Sequence, residues 1–434
     1  MRIIKPLTYI VVFATFLCLF SGLVYQVSIT GSNNSSIKRK ILNFARFPQT
    51  IKEVLLSKEV KNIPYTYLPT PKNFKAINKL NYPLYGLTSF WDNEAQQWNI
   101  NFIDFQNDSI LYTWFFLEKD FEKAKISYSN SCPKQSILLP NKNLIGRLSF
   151  SPNLFRLGAN SNILWHNKEL LFHHGVNLAA DGNIWTCARD IYPEKKEEYY
   201  GGLVKNLDDN LISYREENIV KIDIETGAIL FKKGIAEILI ENGYKGIIYG
   251  SDLFDPTHLN DVQPALKDTR YWKKDDLFIS IRNRSLVFLY RPSTNKILKL
   301  IHGPYVNQHD VDIISDHQIS IFNNNNTGGK GYNADEIMVP IDSFNSSEVI
   351  IYDFETNTFT NYLSNRFQVE KIATASEGLS EFLNNGDLFV EEHNKGVYYI
   401  INEDEIVLKK IFPTKDPNYI YLPNWIRLYE DYPF

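Results

Sequence analysis

The sequence predicts an all-β fold, a six-bladed β-propeller preceded by an N-terminal transmembrane helix. Three observations support this prediction. Aromatic residues make up 14% of the 434 residues and charged residues only 22%, a composition that favours strands and a sizeable core. A short hairpin pattern recurs along the chain, and a long apolar run follows the first few residues.

The apolar run at the N-terminus has the length of a membrane anchor. Arg2 and Lys5 precede an uncharged, mostly apolar stretch from Leu7 to about Ile29. A transmembrane helix needs about 20 such residues. A cleaved signal peptide, the alternative, has a shorter apolar core and a small-residue cleavage site, and no clean A-x-A stands here. We therefore expect an uncleaved anchor.

The charges beside this run predict its orientation. Positive residues before the helix place the N-terminus in the cytoplasm, although the Lys-Arg-Lys at 38–40 weakens the asymmetry. The sequence thus predicts a signal anchor at 1–30, a stalk at 31–62 and the propeller at 63–434. The propeller would lie outside the cytoplasm, on the periplasmic side if the source is bacterial.

The hairpin pattern decides the fold. Each copy is a short strand, a polar turn and an apolar pair, with turn residues typical of hairpins. The copies are 60, 59, 68, 62 and 47 residues apart when marked at Asn107, Asn167, Thr226, Thr294, Thr356 and Glu403. Units of this length accommodate a four-stranded blade, and radial repetition of blades is how propellers protect their sheet edges.

A second pattern, a strand followed by an Asp-Gly-like turn and a return strand, predicts the functional site. Copies of it begin at His174, His258 and His309, and Arg282 lies on the return strand of the His258 copy. Equivalent positions in successive blades point the same way around the propeller axis. We therefore expect these three histidines and Arg282 to meet at the mouth of the central channel.

Three imidazoles and one guanidinium make an anion-binding cluster. Arginine presents a planar fork of donors to a tetrahedral oxyanion, and a neutral histidine can act as nucleophile or base. The chain has no P-loop, no G-x-S-x-G motif and no zinc-type cysteine–histidine spacing, so we expect no cofactor or metal. A net charge of -4 argues against a nucleic-acid partner.

Four segments resemble the arylsulfate sulfotransferase family, whose members need no nucleotide sulfate. They are FHHGVNLAADGNIW (172–185), DPTHLNDV (255–262), LFISIRNRSLVFLY (277–290) and GPYVNQHDVDIISDHQISIFNNN (303–325). The family has the same order of a His before a D-G hairpin, an H-x-N segment, an S-x-R strand and a Q-H segment ending in F-x-N.

The resemblance implies a six-bladed propeller that moves a sulfuryl group from a phenolic sulfate ester to a phenol-type acceptor. By the family pattern His309 is the nucleophile and carries a transient sulfohistidine. His258, Arg282 and His174 would bind the sulfuryl oxygens and stabilise the charge on the transferred group and the leaving phenolate. The implied partners are a small aryl sulfate, a phenol and, through the anchor, the membrane.

Several alternatives stay open at this point. A slip in strand register would replace His174 by His173, or Arg282 by Arg284. A non-catalytic propeller that binds an anionic glycan or an envelope partner is the runner-up function. An envelope sulfotransferase acting on a polymer is a third. Cys132 and Cys187 could form a disulfide in an oxidising compartment or remain free.

Overall fold

The computed structural model describes residues 64, 66–117, 132–190, 216–249, 255–326 and 346–434, with scattered positions between 13 and 24. The chain divides into two compact units, Met1–Ile63 and Pro64–Phe434. The described strands of the second unit form six blades, which confirms the predicted all-β, six-bladed propeller.

The predicted stalk at 31–62 lies outside the described residues, and so does most of the predicted anchor at 1–30. Among the residues that are described, no helix combines the length and the apolar character needed to cross a membrane. The anchor therefore stays a prediction.

Each blade is an antiparallel sheet, and its strands mostly follow one another along the chain. The unit begins with β1 (Tyr67–Pro69) and β2 (Ile77–Asn78), then β3 (Tyr85–Asp92), β4 (Gln97–Asp104) and β5 (Ser109–Leu117) of blade 1. Blade 2 contains β6 (Ile137–Leu139), β7 (Asn143–Arg147), β8 (Leu154–Leu157) and β9 (Ile163–Asn167). Blade 3 contains β10 (Leu170–Leu178), β11 (Ile184–Asp190), β12 (Glu217–Ile222) and β13 (Ile229–Gly234).

The other three blades repeat this order from the inner strand outward. Blade 4 contains β14 (Leu259–Pro264), β15 (Leu277–Ile281), β16 (Leu286–Arg291) and β17 (Lys296–Ile301). Blade 5 contains β18 (His309–Ile313), β19 (Gln318–Asn323), β20 (Glu348–Asp353) and β21 (Thr358–Tyr362). Blade 6 contains β22 (Leu379–Phe382), β23 (Leu388–Glu392), β24 (Val397–Ile401) and β25 (Ile406–Lys410).

The ends of the unit close the ring of blades. The inner strand of blade 1 is β27 (Arg427–Tyr429), so the last strand of the chain completes the first sheet by pairing with β3. At the outer edge of blade 6, β2 pairs with β25. A further pair joins β1 to β26 (Tyr419–Tyr421). The ring is thus held by strand pairing from both ends of the unit.

Among the described residues, the core consists of six apolar clusters, one between each pair of neighbouring blades. Trp98 and Phe155 belong to the cluster between blades 1 and 2, and Trp185 and Phe288 to the cluster between blades 3 and 4. Aromatic side chains of this size each bury roughly 150–250 Å². Three helices pack beside these clusters: α1 (Ile235–Glu241), α2 (Lys245–Tyr249) and α3 (Ser364–Glu370).

One predicted hairpin is wrong. Asn167 does not turn between two strands of a blade: it ends β9, and the chain passes on to β10 of the next blade. The turn of blade 2 lies at 158–162, where the Gly158 N–H donates to the Asn162 carbonyl. The Asn167 side chain accepts the Glu169 N–H, so this link has the local chemistry of a turn without being a hairpin.

Two further sequence questions are settled by the strands. Cys132 and Cys187 are both buried and free, and they lie in different inter-blade clusters. Arg282 is not on the return strand, because β15 ends at Ile281 and a short 3-10 turn spans Arg282–Arg284.

Candidate active site

The backbone of the inner strands is irregular where the predicted histidines stand. The pairings of β10, β14 and β18 each contain a β-bulge, which spans His174 in the middle of β10 and follows the first residue of β14 and of β18. His174 and His258 have φ values of 53° and 51°, in the left-handed region that non-glycine residues rarely adopt. A bulge redirects a side chain, and here the redirected side chains face the axis.

The three predicted histidines come together from blades 3, 4 and 5. The ring centroid of His174 lies 5.3 Å from that of His258 and 5.9 Å from that of His309. His174 and His309 are buried, while the side chain of His258 retains 21% of its exposed area. His258 therefore remains accessible to a ligand, and it lies beside two histidines that are shielded from solvent.

His309 is held by a side chain that also fixes its protonation. Its Nδ1 lies 2.6 Å from Asn324 Oδ1. The Asn324 amide nitrogen donates to the carbonyls of Thr374 (3.0 Å) and Glu377 (2.8 Å), so its oxygen is the atom that faces the imidazole. Nδ1 must then donate, and Nε2 keeps its lone pair. Burial, followed by the positive charge of Arg282, lowers the pKa of His309 to about 3.

His258 and Arg282 are joined by the loop that precedes β14. His258 Nδ1 lies 2.6 Å from Asp255 Oδ2, which leaves its Nε2 as the nitrogen available to a ligand. The Arg282 backbone N–H donates to the His258 carbonyl. Burial lowers the pKa of Arg282. Arg284 is directed elsewhere, since its Nε donates to the Pro256 carbonyl at 2.6 Å.

His173 and His174 have different surroundings. The His174 ring faces the other two histidines, whereas His173 points into blade 3 and its Nε2 lies 2.7 Å from Glu217 Oε2. The two histidines contact each other through their Nδ1 atoms, 2.7 Å apart. Of the two candidates that the sequence left open, His174 is the one placed at the mouth.

The sequence comparison agrees with this geometry. The family model for arylsulfotransferase (ASST) matches residues 157–412, a span that includes His174, His258, Arg282 and His309. The chain belongs to the arylsulfotransferase family. It is therefore an aryl sulfotransferase that does not depend on a nucleotide sulfate, and the family's reaction takes a sulfuryl group from an aryl sulfate to a phenol.

Solved structures similar to this arylsulfotransferase are distant. A protein of unknown function from Bacteroides caccae is 12% identical, with 79% of this chain and 98% of that chain covered and a TM-score of 0.48. A virginiamycin B lyase from Staphylococcus aureus is 10% identical, with 67% and 73% covered and a TM-score of 0.37. No curated protein sequence matches the chain significantly.

The other three blades of the arylsulfotransferase also contribute to the mouth, which the sequence did not predict. Lys134 precedes β6 and forms an ion pair with Glu377, which precedes β22. Trp425 precedes β27, and its ring centroid lies 5.8 Å from that of His174 and 6.2 Å from that of His309. These positions share no residue type with the histidines, so no repeat pattern could identify them.

The far end of the channel has the opposite character. A cavity of about 510 Å³ lies among the inner strands and the segments beside them, lined by Asp310, Asp312, Glu381, Arg427, Gln135 and Asn177 among others. Burial raises the pKa of Glu381 to about 7. None of the four predicted site residues lines this cavity. A carboxylate-rich cavity disfavours an anionic ligand such as a sulfate ester.

Proposed function

We propose that this arylsulfotransferase works by a ping-pong cycle through a sulfohistidine at His309, in an exported domain tethered to the membrane. The free Nε2 lone pair of His309 carries the mechanistic part of the proposal. Asn324 occupies Nδ1, and burial together with Arg282 keeps the ring neutral at working pH. A neutral imidazole with one nitrogen exposed to substrate is the form that acts as a nucleophile.

In the first half-reaction, Nε2 of His309 attacks the sulfur of the donor. The bond between sulfur and the aryl oxygen breaks, and the aryl oxygen takes the electron pair as a phenolate. Arg282 and His258 hold the sulfuryl oxygens, where negative charge is spread in the transition state. In the second half-reaction, the acceptor oxygen attacks the same sulfur and the electron pair of the N–S bond returns to Nε2.

The supporting groups fit these roles. The Asp255 carboxylate holds Nδ1 of His258 and so fixes the orientation of the ring, with Nε2 turned toward the sulfuryl group. Arg282 remains charged at any working pH and offers a planar fork of donors. Because these groups sit on bulges and a short turn fixed by backbone hydrogen bonds, they are oriented before substrate arrives.

The test measures sulfuryl transfer by the full-length protein in detergent. With 4-nitrophenyl sulfate as donor and phenol as acceptor, we expect acceptor-dependent release of nitrophenol. His309→Ala should abolish it, while His302→Ala, at an exposed position outside the mouth, should leave it unchanged. An acid-labile sulfuryl group on the His309 peptide should accumulate when no acceptor is present. Turnover that survives in His309→Ala would exclude the sulfohistidine at this residue.

The location of the domain is the other part of the proposal. Arg2, Lys5 and the apolar run that follows support an anchor with the propeller outside the cytoplasm. Fusion of a periplasmic reporter, such as alkaline phosphatase, after Phe434 should give an active reporter in the membrane fraction. Activity in the cytosolic fraction alone would contradict this placement.

A further inference from the structure

Three side chains form a continuous line that runs from the mouth into blade 3. The proposed sulfuryl transfer does not use them. Glu217 lies on β12, His173 on β10, and His174 at the bulge of β10. Glu217 and His173 are both 0% exposed at their side chains. Burying a charged group costs free energy unless a partner of opposite charge or a hydrogen bond compensates it.

We propose that Glu217, His173 and His174 form a proton relay, in which His174 Nε2 takes the proton of the acceptor phenol and returns it to the next leaving phenolate. This inference rests on the proposed sulfohistidine cycle at His309. It replaces the role that the family resemblance implies for His174, binding of sulfuryl oxygens.

The position of each proton along this line can be assigned by starting from Glu217. Burial raises the pKa of Glu217, but Arg189 and His173 outweigh it and hold that pKa below its usual value, so Glu217 is an acceptor. His173 Nε2 lies 2.7 Å from this carboxylate, so the charge of Glu217 places the proton of the His173 ring on Nε2. Burial lowers the pKa of His173 to about 4, so its ring is neutral and its Nδ1 accepts.

The proton position on His173 determines which nitrogen of His174 is protonated. His174 Nδ1 must donate to His173 Nδ1 across 2.7 Å. Burial, with the neighbouring histidines, also lowers the pKa of His174, so its ring is neutral and its Nε2 carries a lone pair. A lone pair cannot donate to a sulfuryl oxygen, but it can accept the proton of a phenol. The ring lies 5.9 Å from His309, centroid to centroid, on the reacting side.

The atoms balance over one cycle. When the acceptor phenol attacks, its O–H bond breaks, a bond forms between its oxygen and sulfur, and the proton moves to His174 Nε2. The N–S bond breaks and its electron pair returns to His309. In the next first half-reaction, the aryl oxygen of the donor takes that proton as its bond to sulfur breaks. One proton enters with each acceptor and leaves with each product phenol.

The charges around the line explain why Glu217 is needed. Arg147 donates to the His174 carbonyl, Arg189 contacts Glu217, and Lys134 lies near His174. These three positive side chains disfavour protonation of the two histidines. The rings of His258 and His309 also face His174. Glu217 is the carboxylate at the end of the line, and it stabilises the protonated relay, as the acid of a catalytic triad orients and stabilises its histidine.

The experiment compares acceptors of different acidity in the full-length enzyme. The variants are His174→Gln and Glu217→Gln, with His166→Gln as the matched control, since His166 is bonded to Asn153 away from the mouth. For His174→Gln we expect the first-turnover release of nitrophenol from 4-nitrophenyl sulfate to persist. Steady-state transfer to phenol should fall by about 10²- to 10⁴-fold, and transfer to a more acidic phenol by much less.

Glu217→Gln tests the inner part of the relay. Loss of the carboxylate makes His174 a weaker base, so transfer to phenol should slow and the acid limb of its pH profile should move to lower pH. Glu217→Asp, which keeps the charge, should restore part of the rate. A merely structural role would change the amount of folded enzyme and leave the pH profile and the ratio between acceptors unchanged.

The outcomes separate the two proposals. If His174→Gln also loses the first-turnover release and affects all acceptors equally, His174 is an oxygen ligand and the relay is wrong. If His309→Ala keeps the first-turnover release, the sulfohistidine at His309 is wrong. The ratio between acceptors is measured within one preparation, so it does not depend on how much of a variant folds.

Discussion

At the residue scale, the chemistry depends on which ring nitrogen of each histidine carries a proton. Asn324 sets this for His309, because its amide hydrogens are used by two backbone carbonyls and its oxygen must accept. Glu217 sets it for His174 through His173. Two rings whose centroids lie 5.9 Å apart therefore both donate from Nδ1 and both keep Nε2 free.

Substitution of Asn324 tests this control. In Asn324→Asp the new carboxylate favours the imidazolium, so the pKa of His309 should rise from about 3. The fraction of neutral nucleophile then falls as pH decreases, and kcat/KM should decline at acidic pH where the wild type is flat. Asn324→Ala should lower kcat by about 10²-fold at every pH, because a mispositioned nucleophile is costly.

A neighbouring asparagine provides the control. The Asn326 amide donates to the Ala375 carbonyl at 2.7 Å, in the same segment. Asn326→Ala should therefore share any cost in stability without shifting the pH profile. A flat pH profile for a folded Asn324→Asp would show that this side chain does not govern the protonation of His309.

At the scale of elements, the sequence identified the site residues that belong to a repeated pattern and missed the site residues that do not. The three histidines could be identified because each begins a copy of the same strand-and-turn pattern in the sequence. In the structure His309 opens β18, whereas His174 lies within β10 and His258 directly precedes β14. Lys134, Glu377 and Trp425 occupy the same place in the other blades, but they are three unrelated residue types. Their part in the site follows only from ring geometry.

Contacts across long stretches of chain were beyond sequence reasoning. Glu217 meets His173 only because β12 pairs with β11 and β11 pairs with β10, with Ala188 opposite Asn218 and His173 opposite Cys187. Asn324 lies in a run of four asparagines that reads as a solvated turn. The Asn167 link was mistaken for a hairpin because turn chemistry is local, whereas membership of a blade depends on which strand pairs with which.

At the scale of the whole molecule, the channel has two ends with different charge. The mouth presents His, Arg and Lys side chains, and the far end presents Asp310, Asp312 and Glu381 with Arg427. We expect this arrangement to favour entry of an anionic donor at the mouth. It also makes the stability of the propeller depend on pH through buried carboxyl groups.

Glu381 is the clearest case. Burial raises its pKa from 4.5 to about 7. A group with a raised folded pKa contributes stability that is present below its unfolded pKa and is lost as pH rises through the folded value. Glu381→Gln should therefore raise the free energy of unfolding only slightly at pH 5 and by about 1–3 kcal/mol at pH 8.

Urea denaturation at the two pH values measures this effect. Glu403→Gln, at an exposed turn of the same blade, is the control and should show no such difference. An equal change at pH 5 and pH 8 for Glu381→Gln would mean that ionisation of this carboxyl group does not limit the stability of the ring.

The closure of the ring by β27 has a consequence for biosynthesis. Trp425 and Arg427, which bound the mouth and the cavity, follow all three histidines in the sequence. A ribosome therefore makes the histidines before the residues that enclose them. The enclosure of the mouth is complete only once the segment that contains β27 has been synthesised and has paired with β3.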